Sequence, residues 1–193
     1  MIDTVLFDWG GVLAESDSVA AGRRLALVYQ VPQRELSEFM RSIQEEYSIG
    51  ENSEEFLTRV SERFGIPQDD IRQAVCDVSP NGIFDIARGI KRNGTRVMLV
   101  SNQKQFKGEH LLRYADIGFF DHIFFSYRMG VKKPNPDFWD FVESKGIDPS
   151  STLVVDDVNE NLIEPYKRGF FIYLFRNPHC FRSSLNNMRI RYD

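Results

Sequence analysis

Five short apolar runs punctuate the chain: TVLFD (4–8), RVMLVS (96–101), HIFFS (122–126), TLVVDD (152–157) and FFIYLF (170–175). They are rich in Val, Ile, Leu and Phe with little polar alternation, which is how strands covered on both faces of a parallel sheet read. Between them the spacing becomes helical. Ile83, Phe84, Ile86, Ala87 and Ile90 form an apolar stripe over 82–92, with Lys91 and Arg92 suited to its C-terminal end and Gly94 as a stop. A second helix is predicted over 136–145, with Asn135 as N-cap, Pro136 at the first helical position and Gly146 past its end. Further helices are expected over 159–168 and 181–190. Runs alternating in this way predict an α/β fold built on an open, mostly parallel sheet.

The pattern breaks between Ala14 and Pro80, where no strand-like run occurs. Leu36, Phe39, Met40, Ile43 and Tyr47 share one helical face. Phe56, Val60 and Phe64 share another, after Asn52, which is placed to cap with Glu55 three residues on. A helical insert over 15–80 is therefore expected inside an α/β unit made of 1–14 and 81–193, with hinges near 14–18 and 78–82.

Ligands of open parallel sheets sit beyond the C-terminal strand ends, so the polar residues there matter most. Asp8 ends the first run and is followed by Gly10 and Gly11, which let the backbone turn tightly and approach a ligand. Ser101 and Asn102 end the second and can bind an oxyanion. Asp156 and Asp157 end the fourth, and two adjacent acids in a crevice call for a cation. Lys132 and Lys133 precede Pro134 just ahead of a helix, where a lysine offers a point charge to a phosphate. Hard oxygen ligands beside a phosphate describe Mg²⁺ better than zinc.

Composition narrows the partners. A net charge of −4 and a pI near 5.5 argue against nucleic acid or an anionic membrane as the main partner. The two cysteines, Cys76 and Cys180, have no metal-type spacing, and His110, His122 and His179 form no zinc constellation. No signal peptide and no membrane-spanning run are expected, so the reading is a cytoplasmic protein acting on a small molecule.

Taken in order, these elements resemble the haloacid dehalogenase superfamily over essentially the whole chain. VLFDWGGVL matches its first motif with Asp8 as nucleophile, MLVSNQ the second with Ser101 and Asn102, and KKP the third. Lys133 is the better match in that third motif and Lys132 the alternative. LVVDDVNEN matches the fourth with Asp156, Asp157 and Asn161. The resemblance implies a Rossmann-like open parallel sheet with a small all-helical cap inserted after the first strand. It also implies Mg²⁺-dependent hydrolysis of a small phosphorylated metabolite, sugar phosphates included, through an aspartyl-phosphate. Mg²⁺ would be held by Asp8, the carbonyl of Gly10, Asp156 and Asp157, whose order the sequence does not rank. EEYSIGENSEEF (45–56) resembles a cap segment that reaches the active site, making Tyr47 and Gly50 expected specificity residues.

One position departs from the pattern. Most phosphatases of the superfamily carry a second Asp two residues after the nucleophile, where this chain has Gly10. The D-x-G-G form is similar to that of a branch with glucose-1-phosphatase-like and epoxide-hydrolase-N-terminal-like members. It keeps open a binding or regulatory protein with weak or no turnover. A carbon–halogen hydrolase is the remaining alternative, and the acidic pair argues against it. Glu15, Ser16 and Asp17 are the nearby candidates to replace the missing acid.

Overall fold

The computed structural model describes residues 1–50 and 52–192. The chain opens with strand β1 (Thr4–Phe7) and then crosses to four helices: α1 (Asp17–Tyr29), α2 (Gln33–Gln44), α3 (Ser53–Phe64) and α4 (Gln68–Cys76). It returns through α5 (Gly82–Arg92), β2 (Arg96–Ser101), α6 (Gln105–Tyr114), β3 (His122–Phe125) and α7 (Ser126–Met129). It closes with α8 (Pro136–Glu143), β4 (Thr152–Asp156), α9 (Asn159–Lys167), β5 (Phe171–Leu174) and α10 (Pro178–Asn187). The strands form one parallel sheet in the order β3-β2-β1-β4-β5. All five expected strands are present, and the expected α/β class with them.

Alternate side chains of each strand serve the two faces. Val5, Phe7, Val97, Leu99, Leu153 and Val155 pack under α5 and α10, with Phe7 edge-on to Phe181. Leu6, Met98, Val100 and Val154 pack on the other side against Phe138, Trp139 and Leu162 of α8 and α9. Both faces are apolar because both are covered, which is why these runs show no alternation. Truncating Phe7, which is fully buried, to Ala would cost about 3–5 kcal/mol.

The four helices between β1 and α5 have a separate core. Leu36, Met40, Ile43, Tyr47, Phe56 and Val60 are buried together there, with Phe39 and Phe64 packed at its edge. The two crossings into this layer are stitched side by side. Ala14 bridges both Gly10 and Pro80. The Asn81 amide donates to the Val12 carbonyl at 2.9 Å, while its side-chain oxygen caps α5 at Ile83 N. We propose 15–80 as a cap domain on this basis.

Several local expectations shift. The last helix runs over 178–187 rather than 181–190, because Asn177 caps Cys180 N and Pro178 occupies its first turn. Helices α6 and α7 were not expected; α6 buries Lys107 and Gly108 on its inner face, which blurs its apolar stripe. Asn52 stands at the N-cap of α3 but its side chain makes no capping bond; its carbonyl accepts from Glu55 N at 3.2 Å.

Candidate active site

Strand β1 lies between β2 and β4, so the strand order reverses there and opens a crevice at the C-terminal ends. Register fixes what meets in it. Phe7 pairs with both Leu99 and Val155, and Asp8 N continues the ladder to the Val155 carbonyl at 2.9 Å. Asp8 and Asp156 therefore leave the sheet side by side, with Ser101 on the neighbouring strand.

Between the two acids stands Lys133. Its ammonium donates to Asp8 Oδ1 at 2.9 Å, Asp156 Oδ2 at 2.6 Å and the Val100 carbonyl at 2.9 Å, which occupies all three protons. It is 1% exposed. Burial disfavours its charge, but the carboxylates of Asp156 and Asp8 outweigh that and hold the amine above its ordinary value. For Asp8 the balance falls the other way. Burial pushes its carboxyl up to about 7, with Asp156 adding repulsion and Lys133 opposing both.

The backbone of Lys133 is fixed in turn. Asn102 Oδ1 accepts from Lys133 N at 2.9 Å, and Asn102 Nδ2 donates to the Lys133 carbonyl at 3.0 Å. The Asn102 side chain thus positions Lys133, while Asn102 also lines the cavity. Lys132 is excluded from the floor: it donates to the Glu45 carbonyl at 2.6 Å and to Glu45 Oε2 at 3.1 Å, tying the sheet side to the helical layer.

Asp156 and Asp157 separate cleanly. Asp156 is 1% exposed, and both its oxygens accept bonds, from Lys133, Val158 N (2.8 Å) and Asn161 Nδ2 (3.2 Å). Asp157 instead lines the open cleft. Its carboxyl is raised by burial first and by Asp156 second. It lies so close to Gly11 that a Cβ there would overlap its carboxylate, and Gly11 has φ +79°. Glycine is therefore needed twice over at position 11. At Gly10, by contrast, a Cβ would meet no atom within 4 Å, so the place of the missing acid is open space.

These groups lie in or beneath a cavity of about 350 Å³ lined by Asp8, Gly10, Ser101, Asn102, Lys133 and Asp157 on the sheet side. Its upper wall comes from Ser16, Asp17, Arg41, Gln44, Glu45 and Ser48, with Lys104 from the loop after β2. Tyr47 and Gly50, the expected specificity residues, do not line it. The Tyr47 ring packs edge-on to Phe56 in the helical core, and its hydroxyl accepts from Arg59 at 3.0 Å. Glu51 of the same segment lies outside the described residues. Of the suggested replacement acids, Ser16 and Asp17 reach the cavity, whereas Glu15 is paired with Arg23. Sequence reasoning missed Lys104, Arg41 and Gln44; a lysine three residues after Ser101 was the one readable signal.

The donor set fits a divalent cation. Carboxylate oxygens of Asp8, Asp156 and Asp157 lie within 4.8 Å of one another. Three acids against the single ammonium of Lys133 leave two uncompensated charges when all are ionised. Hard oxygen ligands and this charge suit Mg²⁺.

The family model of haloacid dehalogenase-like hydrolases matches residues 2–161. The chain belongs to that family. A D-ribitol-5-phosphate phosphatase of Bacteroides thetaiotaomicron is 26% identical, over 96% of this chain and 97% of its own. Among solved structures of the superfamily, an enzyme of Bacteroides thetaiotaomicron in complex with magnesium and inorganic phosphate superposes with a TM-score of 0.67. It is 23% identical and the match covers 94% of this chain and 100% of that one. The L-2-haloacid dehalogenase of Xanthobacter autotrophicus gives 0.71 at 22% identity, over 97% and 83% of the two chains. At such identities these structures share the haloacid dehalogenase fold, and the chemistry must come from the site. Among the described residues no helix is long and apolar enough to cross a membrane.

Proposed function

We propose that the protein is a Mg²⁺-dependent phosphatase of small phosphorylated metabolites, polyol or sugar phosphates foremost. The observation that carries this reading is the convergence of Asp8, Lys133, Asp156 and Asp157 beneath one cavity, with Ser101 beside them. A dehalogenase needs no metal ion, and so no cluster of three carboxylates such as Asp8, Asp156 and Asp157 make. The relative acting on a sugar-alcohol phosphate gives the same direction.

Asp8 attacks phosphorus, the ester P–O bond breaks, and an aspartyl-phosphate forms that water then hydrolyses. Asp8, Asp157, Asp156 and the Gly10 carbonyl would hold Mg²⁺, which when bound screens the repulsion between carboxylate and phosphate and polarises the phosphoryl oxygens. Lys133 keeps Asp8 aimed and compensates charge on the equatorial oxygens, and the Ser101 hydroxyl donates to one of them. Asn102 holds Lys133 in place. No side chain at position 10 protonates the leaving group, so of two esters held equally well the one with the more stable leaving group reacts faster.

The two free cysteines, Cys76 buried and Cys180 exposed, support a reducing, cytoplasmic setting. The test is phosphate release from a panel of esters with and without Mg²⁺. Release that needs the ion and disappears in Asp8→Asn is expected. Halide release from 2-haloacids without phosphatase activity would overturn the reading.

A further inference from the structure

Lys104 and Asp17 stand in the upper wall of the cavity with few hydrogen bonds among the described residues. Lys104 is 5% exposed, yet its ammonium makes no hydrogen bond to the described residues. It rests over the Phe56 ring, 4.6 Å from the centroid, and faces the cleft. Burial lowers its pKa, and of the charged groups around it Asp17 acts most strongly, before Lys107 and Glu45.

Asp17 begins α1, and its Oδ1 is buried without a hydrogen-bond partner. The fully buried Lys107 sits behind it at 3.6 Å, too far for a hydrogen bond. Lys107 is itself committed to the carbonyls of Val75 (2.7 Å) and Cys76 (3.2 Å) at the end of α4. The Lys104 ammonium and the Asp17 side chain thus both line the cavity, away from the sheet, with hydrogen-bonding capacity that the described residues leave unused. Charged side chains that are mostly buried and short of hydrogen-bond partners gain most from a ligand that supplies them.

We propose that Asp17 and Lys104 form the leaving-group subsite and bind hydroxyls of a polyol or sugar phosphate; this rests on the phosphatase reading. The ligand's chemistry follows from the pair. A hydroxyl donates its proton to Asp17 and accepts from Lys104, so hydroxylated carbon satisfies both. A carboxylate or second phosphate would satisfy Lys104 alone and would be repelled by Asp17 and Glu45. An aromatic ring would satisfy neither.

The test compares kcat/KM for a pentitol 5-phosphate, its deoxy analogues and p-nitrophenyl phosphate. It is run with Mg²⁺ on wild type, Lys104→Met and Asp17→Asn. Lys104→Met keeps the apolar stem on Phe56 and removes the charge. It is expected to lose about 10–100-fold on the pentitol ester, the worth of hydrogen bonds to charged groups, and less than about threefold on the aryl ester. The wild-type penalty for deleting a hydroxyl should shrink by the same factor in the variant. Asp17→Asn should show the same selective loss, smaller, because a neutral acceptor is weaker. It carries the comparison if Lys104→Met does not fold.

Equal losses on both esters, an unchanged rate on the pentitol ester, or a preference for leaving groups that carry a carboxylate or a second phosphate would overturn the subsite. A wild type that hydrolyses the pentitol ester and its deoxy analogues equally well leaves the phosphatase reading standing and removes the subsite. A wild type that hydrolyses no ester removes both.

Discussion

The floor and the upper wall of the cavity are built on opposite principles. On the floor, Lys133 spends every proton, Asp156 is bonded through both oxygens, and Asn102 is locked to the Lys133 backbone. In the wall, Lys104 and an oxygen of Asp17 have no hydrogen-bond partner among the described residues, and Arg41 and Gln44 come from the exposed side of a helix. A saturated network is rigid and suits one reaction, because preorganised charges need not reorganise as the transition state forms. An unsaturated wall can be completed by a ligand, and so can discriminate between ligands. On the proposed reading, chemistry belongs to the saturated floor and discrimination to the unsaturated wall.

The sharpest break of this contrast is on the floor. Asp8→Asn should lower turnover of every ester by about 10³-fold or more, while circular dichroism shows a folded protein. Wild-type phosphate release from the folded variant would remove Asp8 as nucleophile.

The acidic pair should divide next. Asp156→Ala strands the Lys133 ammonium with one acid fewer and is expected to cost about 3–5 kcal/mol of stability, read by thermal or urea unfolding. Asp157→Ala removes a carboxylate held uncomfortably by burial and repulsion, so its stability should hold or rise without Mg²⁺. Its activity should instead need at least about tenfold more Mg²⁺, in the range that loss of supporting ligands brings. Equal stability losses in the two variants would contradict their different settings.

Position 10 offers a gain rather than a loss. The wild type is expected to show a burst of leaving group from an aryl ester, because water attack on the aspartyl-phosphate lacks a side-chain base. Gly10→Asp has open space to enter. It should raise the rate on alkyl esters by up to about 10²-fold, at the lower end of general acid–base effects, and abolish the burst. A linear start in the wild type would point to another group, with Asp17 and Ser16 first in position.

The smallest effect is expected where the two regions merely touch. Lys132 bonds Glu45 at a partly exposed site, and such pairs are worth under about 1 kcal/mol. Lys132→Ala should change kcat/KM less than about threefold, whereas Lys133→Met should approach Asp8→Asn.

How much of this was readable depended on whether one residue's pattern carried the information. The five strands and the polar residues at their ends were visible, since apolar runs interrupted by Asp8, Ser101 and Asp156 need no partner to be seen. Helix α6 was hidden because Lys107 and Gly108 occupy its inner face. Tyr47 continues the apolar spacing of α2 into the 3-10 turn that follows it, and that spacing, rather than the resemblance of its segment to a reaching loop, described where it lies. Asn102 was legible as a site residue, but its bonds to the backbone of Lys133, 31 residues away, were not.

The sequence by itself determined the sheet, the helical insert and a set of acids at strand ends, because burial periodicity and turn chemistry are local properties of the chain. Only the tertiary structure decided that Lys133 rather than Lys132 meets Asp8 across 125 residues, and that Asp156 is the inner acid and Asp157 the cleft-facing one. It also decided that Lys104 and Asp17 face the cavity together. These are consequences of strand order and register, which bring distant positions into one low-dielectric space where the surrounding groups fix what each charge can do.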